Sequence, residues 1–129
     1  MPFGTPIILI GENEMKDFDG KIQLEDKTYP IAFDLNVLET IQEKYGSMQA
    51  WSEMIEPEDG EANVSALLFG FTEMINEGID IENDKHNTQI PFLTKKQVGR
   101  ILTEFGMANA AQTLKSVVVE STKNEEKNM

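Results

Sequence analysis

Few side chains in this sequence could do chemistry, and they are scattered. His86 is the sole histidine, the residue type most often used as a general base near neutral pH. It lies in Asp84-Lys85-His86-Asn87, a polar stretch expected to be an exposed loop, with no serine or cysteine nucleophile implied beside it. One histidine cannot supply a multi-histidine zinc site. The absence of cysteine removes disulfides, thiol catalysis and zinc–thiolate ligation. Asp80 to Asp84 begins like a calcium-binding EF-hand loop. However, Lys85 stands where the sixth-position glycine belongs, and Pro91 where the twelfth-position glutamate belongs, so that motif fails. Glu56-Pro57-Glu58-Asp59-Gly60-Glu61 reads as a solvated acidic turn. Neither GxxxxGKS/T nor GxGxxG occurs, so no glycine-rich phosphate cradle is encoded. The expectation is a protein with no catalytic residue, no cofactor and no metal site.

The bulk numbers point the same way. The chain has 129 residues, 40% of them hydrophobic, enough for one modest core. Its net charge of -12 repels nucleic-acid backbones and anionic membrane surfaces. No apolar run approaches the roughly 20 residues that cross a bilayer. Residues 6–10, Pro-Ile-Ile-Leu-Ile, are too short for a signal core and follow no basic residue, so a cytoplasmic protein is expected. The charge is uneven. Residues 53–84 hold ten acids and no Lys or Arg, whereas residues 94–123 hold five bases against two acids. Either this polarity steers a partner, or the two segments face each other within one fold.

The elements that would carry these residues are legible from periodicity and punctuation. Residues 1–19 form an N-terminal extension with a possible strand at residues 6–10, which would join a sheet of this chain or of a neighbouring subunit. Residues 21–24 and 28–33 alternate as two strands around a Glu25-Asp26-Lys27 turn, and Pro30 breaks or edges the second. Helix one starts at Asp34 or Asn36, with Asn36 and Glu39 spaced as a capping box. Gly46 closes it. Ser47 caps a short helix bearing Met48, Trp51, Met54 and Ile55. Asn63 caps a helix with the stripe Val64, Leu67, Leu68, Phe71, Met74 and Ile75, which Gly78 is expected to end. Residues 79–92 then read as a polar connection. Thr94 and Gln97 form a second capping box before Val98, Ile101, Leu102 and Phe105, and Gly106 stops that helix. Gly99 inside it costs roughly 1 kcal/mol relative to Ala, which predicts close approach of a neighbouring backbone. A last helix covers residues 108–121, and Val117, Val118 and Val119 cannot all share its buried face. Residues 122–129 are expected to be a disordered tail. The sum is an α+β fold: a small N-terminal antiparallel hairpin followed by about five helices, in a single domain over residues 20–121.

The run Thr28-Tyr29-Pro30-Ile31-Ala32-Phe33-Asp34, continuing through Leu35-Asn36-Val37-Leu38-Glu39-Thr40-Ile41 to Lys44-Tyr45-Gly46-Ser47, resembles the tail assembly chaperones of long-tailed bacteriophages and prophages. Met74-Ile75-Asn76-Glu77-Gly78 and the closing helical pair from Thr94 are similar to that family too. The resemblance covers residues 21–121 and leaves residues 1–19 outside. It implies a non-catalytic protein of the bacterial cytoplasm that coats the hydrophobic tape measure protein before tail tube subunits polymerise around it. It further implies self-association, the tail tube protein as a further candidate partner, and absence from the finished virion. Apolar residues that could contact such a partner are Met48, Trp51, Met54 and Val119, with the methionines offering adaptable contact. A competing reading is an acidic DNA-mimic or inhibitor protein that binds a host factor.

Overall fold

The computed structural model describes residues 20–24 and 26–127, with side chains up to residue 121. The expected strand at residues 6–10 lies outside the described residues. Two antiparallel strands, β1 (Lys21–Leu24) and β2 (Lys27–Pro30), pair in the register Lys21↔Pro30 through Leu24↔Lys27. Pro30, with no amide hydrogen, ends β2 three residues earlier than the alternation predicts. Beyond it the chain turns off the sheet and bonds elsewhere. The Ile31 amide still donates to Gly20 O at 2.6 Å, but the Ala32 amide donates to Met74 O of a helix at 3.0 Å.

Five helices follow: α1 (Leu35–Tyr45), α2 (Met48–Ile55), α3 (Val64–His86), α4 (Lys95–Phe105) and α5 (Met107–Lys127). The fold is therefore mixed α+β and mostly helical, as expected. Ser47 and Asn63 cap α2 and α3 through their side-chain oxygens, and Thr94 with Gln97 forms a reciprocal capping box on α4. The α1 cap is Asp34, whose Oδ1 accepts from the Val37 amide at 3.1 Å. Asn36 is instead a helical residue whose side chain reaches α3, so the box expected with Glu39 does not form.

Two boundaries move further. Gly78 does not end α3, which continues to His86 and stops at Asn87 in the left-handed conformation (φ 55°, ψ 47°). Gly78 is there for contact, not termination. A Cβ on it would sit 2.5 Å from Ile31 N and 2.6 Å from the Pro30 carbonyl carbon, so its bare α-carbon is what lets the strand backbone lie against the helix. Ile79, only 3% exposed, carries the buried stripe past it. At the other end, α5 runs through Lys127 and not to Ser121, which replaces the expected disordered tail with helix through that residue; residues 128–129 lie outside the described residues. Gly99 also differs from expectation. Its nearest neighbours are two Leu68 methyl groups at 3.9 Å, an ordinary contact with a side chain and not a backbone.

One core joins all of these elements. Ile22 and Leu24 from β1, Ile31, Val37 and Ile41 from α1, Phe71 and Ile75 from α3, Val98 and Leu102 from α4, and Leu114 and Val117 from α5 are all buried in it. Trp51 of α2 sits at its centre with no exposed surface. Its Nε1–H donates to Ala66 O at 3.0 Å, and its ring occupies the space where a Cβ on Gly70 would fall. Polar satisfaction and close packing thus fix the indole together.

Candidate functional site

The long α3 forms the floor of an open groove of about 310 Å³. Val37 and Thr40 of α1 line one wall, and Phe92, in the segment before α4, lines the other. Glu73, Glu77 and Asp80 run along the floor at helical spacings of four and three residues, which keep them on one side of α3.

Two asparagines build the Phe92 wall. Asn76 Nδ2 donates to Leu93 O at 2.9 Å, and the Leu93 amide donates back to Asn76 Oδ1 at 2.8 Å. Two turns on, Asn83 does the same for Ile90. Its Nδ2 donates to Ile90 O at 3.0 Å and its Oδ1 accepts from the Ile90 amide at 2.9 Å. Each carboxamide satisfies one backbone donor and one acceptor that an extended segment would otherwise leave open. The connection is thereby pinned along α3 as a strand would be by a neighbour. This holds Phe92, 55% exposed, and Ile90, 48% exposed, at the surface.

The opposite wall is tied to the floor by polar contacts. Asn36 Nδ2 donates to Glu77 Oε2 at 3.1 Å. The Asp34 carboxyl lies where it can accept a hydrogen bond from Glu77 when Glu77 is protonated. That bond is the chief reason the Glu77 pKa is raised; partial burial and the nearby Asp34 and Asp80 charges add to it, while the Asn36 amide opposes it. Among the described residues, no Lys, Arg or His lines the groove. Leu35, next to Asp34, is 69% exposed, and Ile81, one turn past Glu77, is 39% exposed. Phe92 lines this acid-floored groove, and three further exposed apolar residues, Leu35, Ile81 and Ile90, stand within two residues of its lining in the chain. Such an arrangement offers hydrogen-bond acceptors along its floor and an exposed aromatic ring on its wall.

The residues singled out from sequence fall elsewhere. Trp51 is a core residue, so its selection as a partner contact is corrected: the indole presents nothing to the outside while the chain is folded. Met48 is half-buried against the core. Met54 is 37% exposed and Val119 44% exposed. Lys115, one turn before Val119, places Nζ 3.2 Å from Glu56 Oε1, two residues after Met54. That ion pair also links the acidic and basic halves of the sequence. His86 is in the last turn of α3 and not in a loop, exposed, with Nε2 3.3 Å from Glu82 Oε1. Asp80 to Asp84 point around a helix instead of wrapping a loop. Among the described residues no group of three or more His, Cys, Asp or Glu side chains could hold a metal ion, and no helix is long and apolar enough to cross a membrane.

Sequence reasoning missed the groove because α3 was ended at Gly78. A signal was present: Asn76 and Asn83, poor helix formers, stand seven residues apart and hence on one helix face. Comparison of the chain with protein-family models, curated proteins and solved structures gives no match.

Proposed function

We propose that this chain is a tail assembly chaperone of a long-tailed phage or prophage, which covers apolar helical stretches of the tape measure protein in the bacterial cytoplasm and makes or breaks no covalent bond. The observation that carries the reading is the exposed Phe92 in the wall of the α3 groove, with exposed Leu35, Ile81 and Ile90 within two residues of its lining in the chain. Single exposed apolar residues are ordinary. Exposed apolar residues on and next to the groove lining, two of them in the segment held by the asparagine clamps, offer surface suited to another polypeptide. Burial contributes about 25 cal/mol per Å² of apolar surface, so several copies along one client would add up. The strongly acidic remainder of the surface keeps the covered client dispersed. The sequence resemblance from residue 21 to residue 121 supplies the identity of the client. The test is the turbidity of a tape measure fragment from the same genome, followed with and without the chain. Clear solution at stoichiometric amounts of chain supports the reading; precipitation at the same rate with and without it rejects it.

A further inference from the structure

The groove floor carries charge that the described residues do not balance. Glu73, Glu77 and Asp80 line it, and the ion pairs among the described residues, Lys115 with Glu56 and His86 with Glu82, involve none of the three. The donor that Glu77 does have, the Asn36 amide, is neutral. Like charges press on one another here. The Glu77 pKa is raised first by the Asp34 hydrogen bond and then by partial burial, and the Asp34 and Asp80 charges add to the rise. These carboxylates do not converge as metal ligands do, since no group of three or more His, Cys, Asp or Glu among the described residues could hold a metal ion. They are strung along a helix instead. Glu73 and Glu77 stand four residues apart, an advance of about 6 Å, with Asp80 one turn further on, and exposed Phe92 lines the same groove.

We propose that the α3 groove selects basic helices: its occupant is a helix of another polypeptide that sets two Lys or Arg side chains, four residues apart, over Glu73, Glu77 and Asp80, with large apolar residues beside them against Phe92. This rests on the reading that the groove covers helix on another polypeptide, and it names the chemistry of that helix. The rise per residue is the same in any two helices, so a row of cations on one matches a row of carboxylates on the other whichever way the occupant runs. Lys and Arg also carry long methylene stems, which lie along an apolar wall while the charged head reaches an acid. Carboxylates and an exposed ring on one lining serve both ends of such a side chain; a glutamate in the same place would meet only repulsion. The net charge of -12 draws a basic segment in at long range and turns an acidic one away. The groove is open to solvent, so each ion pair is modest, and selectivity comes from two of them acting together. Apolar contact supplies affinity, and the acidic floor decides which helix receives it.

The test uses three synthetic helical peptides with one leucine-rich face in common and Lys, Gln or Glu at two flanking positions four residues apart. Each is titrated calorimetrically into the full chain, into Glu73→Gln with Asp80→Asn, and into Glu58→Gln with Glu61→Gln. The last pair removes the same charge from exposed positions between α2 and α3, and circular dichroism checks that each variant is folded. Wild type should bind the Lys peptide about tenfold more tightly than the Gln peptide, and the Glu peptide least tightly. Most of that preference should vanish in the groove variant, persist in the loop variant and weaken at high salt. Equal affinity for the Lys and Gln peptides, binding of no peptide, or a preference lost equally in both variants, the sign of overall acidity only, overturns the inference. If the groove variant fails to fold, the three peptides on wild type still separate selective from indifferent binding. Sedimentation of the chain alone covers a different occupant: a dimer weakened in the groove variant and not in the loop variant places a second copy there and overturns the inference. Peptides bound without regard to charge, with a tape measure fragment kept clear, reject this inference and spare the client reading. A Lys preference with the fragment precipitating supports this inference and rejects the tape measure protein as the client.

Discussion

Glu77 concentrates the electrostatic tension of the groove. Its folded pKa is raised above the ordinary glutamate value of 4.5, so the folded chain binds that proton more tightly than the unfolded chain does. By linkage, the contribution of this group to stability is greatest below the ordinary value and falls as pH climbs through the interval up to the raised value. Gln at this position keeps an acceptor for Asn36 and gives Asp34 a permanent N–H donor. Glu77→Gln is therefore expected to raise the melting temperature at pH 7, with the gain vanishing at pH values below 4.5; melts across that range check it. A second residue-scale contrast comes from two helical glycines. Gly78→Ala drives a Cβ into the Ile31 backbone and should cost about 1–3 kcal/mol. Gly99→Ala meets only Leu68 methyls at ordinary distance and should stabilise by about 0.5–1 kcal/mol. Urea denaturation of the two variants should show opposite signs.

At the scale of elements, the clamp between α3 and the segment before α4 carries the site. Asn76→Ala removes two hydrogen bonds to Leu93 and leaves a part-buried backbone donor and acceptor without their partners. A loss of about 1–2 kcal/mol is expected, together with faster amide hydrogen exchange at Leu93 than in wild type. Which elements could be read from sequence follows from the same physics. Helix starts were legible wherever a short polar side chain turns back on the first amides, as at Ser47, Asn63 and Thr94. Buried stripes were legible where spacing is strict, as from Leu67 to Ile75. Gly78 misled because glycine serves two purposes, left-handed termination and close approach, and the sequence does not say which. Gly46 and Gly106, both at positive φ, did end their helices. Trp51 misled because a large aromatic on an amphipathic helix suits a core and an interface equally well. Its burial depends on Gly70, nineteen residues away in the chain, and on an Ala66 carbonyl.

For the whole molecule, the hairpin and five helices close on one core and leave an acid-floored groove with exposed Phe92 on its wall and exposed Leu35 next to its lining, an apolar margin. The central claim is that this margin covers apolar helix on another polypeptide. It is tested most directly by calorimetric titration of a helical tape measure fragment into the chain and into a Leu35→Ser, Phe92→Ser variant. Both substituted side chains are more than half exposed, so the variant should keep its fold. Wild type should bind with a negative heat-capacity change, the mark of apolar burial, and the variant should lose most of that affinity. Absence of binding by the wild type, or equal affinity in the folded variant, would contradict the claim.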